Sequence, residues 1–61
     1  MAAIDDLSNA LISDGETLRK FSDKYYIPES NCIMESNSYY TTLEGIVNEP
    51  GYDLNTFLSN L

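Results

Sequence analysis

From Ile4 to Tyr25, apolar side chains recur at alternating steps of three and four: Ile4, Leu7, Leu11, Leu18, Phe21 and Tyr25, with Asp14 in the one slot that breaks the series. An α-helix advances 3.6 residues per turn, so this spacing gathers six apolar groups on one face and leaves the opposite face polar. No other stretch of the chain offers so long a seam, and the remaining residues must either cover it or leave it for a partner. The Ser13-Asp14-Gly15-Glu16 segment leaves two parses open. Ser13 followed by Glu16 forms a capping box that would begin a second helix at Asp14. The preserved phase of the seam favours a continuous or mildly kinked helix over 3–26, with Gly15 costing about 1 kcal/mol relative to alanine, while Asp14 on the apolar face argues for the break.

Length sharpens the problem the seam poses. A chain of 61 residues supports one domain, and domains of that size hide only about 60% of the surface their unfolded chains expose. The usual reinforcements of very small domains are missing: Cys32 is the only thiol, and there is no histidine to help hold a metal. Oligomerisation or docking on another protein is the reinforcement that remains.

Charge narrows the class of partner. The net charge is −7, divided into −2 over residues 1–24 (five acids, three bases) and −5 over residues 25–61 (five acids, no base). Arg19, Lys20 and Lys24 are the only bases and lie close together. Such a chain cannot neutralise a run of phosphates, so direct nucleic-acid binding is not expected. An anionic membrane would repel it, a basic protein surface would attract it, and no apolar run approaches the ~20 residues needed to span a bilayer. A lone cysteine, the lack of a glycosylation sequon and the lack of a basic-then-apolar leader suit a reducing interior. The expected location is intracellular (a host cytoplasm) or within a viral particle.

The rest of the chain reads as short helices. Residues 3–12 begin with Asp5 and Asp6, well placed at the positive end of a helix dipole. Residues 16–26 pair Glu16 with Lys20 four positions on, and Pro28 disfavours helical geometry at Ile27, ending the helix by Tyr26. Turn formers fill 27–38 around Cys32-Ile33-Met34, a small apolar group expected to fold back on the seam as a helical turn or a short extended piece. Residues 39–48 set Tyr39, Leu43, Ile46 and Val47 on one helical face, with Ser38 as a candidate cap, although Gly45 and the paired threonines weaken that helix. After the Pro50-Gly51 turn, Asp53 is an N-cap, and Leu54, Phe57, Leu58 and Leu61 follow at helical spacing. Tyr52 before the cap and Phe57 inside form a hydrophobic staple. The architecture expected is an all-α bundle of three or four short helices packed on the N-terminal amphipathic helix.

Candidate chemistry is sparse. Without histidine, Cys32 lacks the usual base that would make it a nucleophile, and a small buried filler is its expected role. The carboxylates match no calcium-loop spacing, and no glycine-rich phosphate loop occurs, so no metal or cofactor is expected. The Tyr25-Tyr26 and Tyr39-Tyr40 pairs carry more information. Adjacent helical positions point about 100° apart, so one ring of each pair can face in and the other out. Exposed tyrosines favour protein interfaces. Leu7, Leu11 and Leu18 on the seam, with Tyr26 and Tyr40, are the candidate partner-binding residues. The expected function is non-catalytic binding of another protein, or of further copies of the chain, as an accessory or structural subunit of a virion-type particle or a multi-subunit machine. The alternative is a small acidic inhibitor, phage-encoded, that imitates nucleic acid and occupies a basic surface of a host enzyme.

Overall fold

The computed structural model describes residues 2–61, and among them five helices and no strand are present. They are α1 (Ala3–Ile12), α2 (Gly15–Tyr25), α3 (Glu29–Ile33), α4 (Asn37–Val47) and α5 (Leu54–Ser59). The expected all-α bundle is thus present, with the 27–38 region contributing a single helical turn, α3, as the additional element.

The seam breaks where its phase contains an acid. A continuous helix over 3–26 would be about 36 Å long at 1.5 Å per residue, whereas the longest dimension of the fold is 28 Å. Asp14, rather than Ser13, caps the second helix. It lies in extended conformation and accepts the Glu16 backbone N–H (3.3 Å) and the Thr17 hydroxyl (2.7 Å). Ser13 instead ends α1, its hydroxyl donating to the Ala10 carbonyl at 3.3 Å. The acid therefore stays in water at a corner where its carboxylate satisfies orphan donors, and the two halves of the seam fold against each other.

The halves and α4 enclose one core. Leu7 and Leu11 from α1, Leu18 and Phe21 from α2, Ile27, Cys32 from α3, and Tyr39, Leu43 and Ile46 from α4 are buried together. The Tyr39 hydroxyl is paired with the Ser8 hydroxyl at 2.8 Å, which joins α4 to α1 and satisfies two polar groups that have left water. Aromatic contacts run outward from there. Phe21 meets Tyr39 edge-on (6.0 Å, 86°) and Tyr25 at 4.9 Å, while Tyr25 meets Phe57 at 6.3 Å and Phe57 meets Tyr52 at 6.4 Å. That chain of rings fastens α5 to the bundle.

Helix ends follow the local chemistry with small shifts. Ser36, not Ser38, caps α4, accepting the Tyr39 N–H at 3.3 Å. Asp53 caps α5, accepting both the N–H and the hydroxyl of Thr56 at 3.0 Å. Of the Cys32-Ile33-Met34 group only Cys32 turns inward; Ile33 and Met34 stay in solvent because five residues of helix present one narrow face to the core.

Candidate functional site

Three surfaces stand out once the core is accounted for: the exposed residues flanking and ending α3, a groove between α1 and α4, and a cleft at the α4–α5 turn. The turns on either side of α3 are built alike. Tyr26 (φ 57°) and Glu35 (φ 54°) are the two non-glycine left-handed residues among the described ones. In each case the following residue donates its N–H back to a helix carbonyl: Ile27 to Ser22 at 3.3 Å, Ser36 to Asn31 at 3.0 Å. Glycine is the residue favoured at such a terminus, because any Cβ there crowds the neighbouring carbonyl.

The two residues use their strained positions differently. Glu35 accepts the Tyr40 hydroxyl at 2.7 Å and so fixes a side chain of α4. Tyr26 makes no such contact: its residue is 92% exposed. At the far end of α3, Met34 is 75% exposed and Ile33 60%. Three large exposed apolar side chains, Tyr26 before α3 and Ile33 and Met34 at its end, therefore contribute little to the fold's own core.

The second surface lies between α1 and α4. Ile4, Asn37, Tyr40, Thr41 and Glu44 line a groove of about 240 Å³. The Tyr40 phenol holds its proton more tightly than usual, first through its hydrogen bond to Glu35 and then through partial desolvation and the negative charges of Glu35 and Asp5. A slightly larger cleft of about 270 Å³ lies at the α4–α5 turn, with Tyr25, Tyr52 and Phe57 on its walls and both Lys24 and Glu49 on its rim. Within that turn the Tyr52 phenol oxygen is buried with no hydrogen-bond partner among the described residues.

The sequence candidates are thus split between interior and surface. Leu7, Leu11 and Leu18 are packed inside the chain's own core, so the seam is covered intramolecularly. Tyr26 and Tyr40 are the outward members of their pairs, while Tyr25 and Tyr39 face inward. Glu35, Ile33 and Met34 were not singled out by periodicity. The Ser36-Asn37-Ser38 run was the signal that α4 begins early and that Glu35 must turn.

Cys32 is fully buried, its sulfur 4.0 Å from the Ile27 carbonyl, and burial followed by the charge of Glu29 raises its thiol pKa, which disfavours the reactive thiolate. Among the described residues no three acidic or cysteine side chains converge on a point that could hold a metal. No helix among them is long and apolar enough to cross a membrane. No protein family, no curated protein and no solved structure matches this chain.

Proposed function

We propose that this chain is a non-catalytic protein-binding subunit of a larger assembly, such as a viral particle or a multi-subunit machine, and that it docks through the corner around α3. The observation that carries the reading is Tyr26. A left-handed conformation costs an L-residue roughly 1–2 kcal/mol, yet the bulky ring held there is 92% exposed and stabilises little of the fold. The hydrogen bond from the Ile27 N–H to the Ser22 carbonyl accounts for the left-handed turn, but not for a large exposed ring where glycine would serve, and that choice of side chain points to a use outside the molecule. Tyr26, Ile33 and Met34 supply the aromatic and flexible apolar groups that interfaces favour. The inaccessibility of Cys32 and the absence of histidine support a role without catalysis.

The test separates stability from binding. Tyr26→Gly relieves the strain and should stabilise the isolated chain by about 0.5–1 kcal/mol, the left-handed cost less the extra entropy of unfolded glycine. The same variant, like Met34→Ser, should lose a stoichiometric companion that the wild-type chain retains when purified through an N-terminal tag from the cells that express it. Absence of any companion, or its full retention by both variants, would overturn the reading.

A second reading draws on charge. All three bases lie on α2 and every residue after Lys24 is acidic or neutral, which suits an inhibitor covering a basic nucleic-acid-binding surface of a host enzyme. Raising the salt from low to moderate concentration should release that partner, whereas a companion held by the α3 corner should stay.

A further inference from the structure

The groove between α1 and α4 has an aromatic wall, an apolar wall and, among the described residues, carboxylates as its charged neighbours. Tyr40 forms the aromatic side, 37% exposed, with Ile4 opposite on α1 and Glu44 at the edge. No base lines it. Its volume of about 240 Å³ falls below the ~300–1,000 Å³ of typical small-molecule sites, and suits one long side chain.

We infer that this groove receives an arginine side chain from a basic partner protein, the guanidinium lying over the Tyr40 ring and the aliphatic stem along Ile4. Three features select that occupant. The Tyr40 hydroxyl donates to the Glu35 carboxylate at 2.7 Å, which pushes electron density into the ring and strengthens its face as a cation acceptor. Glu44 on the groove, with Glu35 and Asp5 beside Tyr40, offers carboxylates for the planar N–H fork of a guanidinium. Lysine carries the same charge but is more strongly hydrated and cannot stack, so arginine fits better. A second copy of this chain is a poor occupant, because each copy carries −7.

The inference rests on the chain being a protein-binding protein, but its site is distinct from the α3 corner, and its test needs no companion. The wild-type chain is titrated at low salt with a short peptide containing two arginines, and with its lysine counterpart, while backbone and tyrosine-ring NMR signals are followed. Shifts should concentrate on Asn37, Tyr40, Thr41 and Glu44, and the arginine peptide should bind more tightly than the lysine one. Tyr40→Ala should weaken the arginine peptide about two- to fivefold and abolish the preference. Glu44→Gln, on an exposed position that leaves the fold alone, should weaken both peptides. Shifts spread evenly over all the acids, equal binding of the two peptides, or indifference to both substitutions would overturn the inference and leave the α3 reading standing. Sedimentation of the chain alone supplies the last arm: a concentration-dependent mass abolished by Arg19→Ala would reassign the groove to a second copy and overturn the basic-partner assignment.

Discussion

Helices α4 and α5 reverse the order in which their sequences would rank them. Helix α5 has the cleaner local chemistry, with Asp53 holding two donors of Thr56 and the Tyr52–Phe57 staple closing the turn before it. Helix α4 contains two threonines and a glycine and starts from a serine two residues earlier than periodicity suggests. Yet α4 buries Tyr39, Leu43 and Ile46, whereas α5 buries no residue completely. Capping decides whether a short helix starts; position relative to the other apolar faces decides how much stability it contributes.

The largest expected effect tests the core on which α4 lies. Leu11→Asp places a charge where no counter-charge or water can reach it, and a domain this small should lose its helical circular dichroism altogether. A folded Leu11→Asp chain would mean that the seam does not organise the core. Next comes the direct comparison of the two helices. Leu43→Ala should cost about 2–5 kcal/mol in denaturant unfolding. Leu58→Ala should cost less than about 2 kcal/mol, because part of its side chain already meets solvent. Equal losses would place α5 within the core rather than upon it.

A finer contrast removes one oxygen from each region. Tyr39→Phe deprives the buried Ser8 hydroxyl of its partner and should cost about 1 kcal/mol. Tyr52→Phe deletes a buried hydroxyl that has no partner among the described residues, and should be neutral or slightly stabilising. The smallest effect is confined to alkaline solution. Burial raises the pKa of Tyr39 above its ordinary value of 10.0, with smaller effects in both directions from Ser8, Cys32 and Glu35. The folded state therefore holds that proton more tightly than the unfolded chain. Its contribution is fully present below about pH 10 and is lost as pH rises through the folded pKa. Tyr39→Phe should remove part of this alkaline slope in unfolding curves recorded at increasing pH.

Much of the fold was legible because its signals are local. The heptad-like steps from Ile4 to Tyr25, the stop at Ile27-Pro28, the Glu16–Lys20 pair, now 3.7 Å apart, and the Asp53 cap each depend on residues within a turn or two of one another. The inward and outward members of the Tyr39-Tyr40 pair follow from helical geometry within α4, whereas Tyr26 faces outward from a left-handed position just past α2. Less was legible at the surface. Periodicity nominated Leu7, Leu11 and Leu18 for a partner because it cannot say whether a face is covered by its own chain. Ser13 and Ser38 were reasonable caps, but Asp14 and Ser36 hold those positions, since a capping side chain must meet a free N–H in three dimensions.

Sequence alone determined that the chain is helical, acidic and short of internal cross-links, because periodicity, charge and composition are properties of neighbours along the chain. Tertiary structure decided that the seam folds upon itself at Asp14, that α4 rather than a companion closes over it, and that Tyr26 and Tyr40 are left outside. Those outcomes depend on which faces meet across the bundle, and that geometry is set by packing between residues far apart in the chain, such as Ser8 and Tyr39.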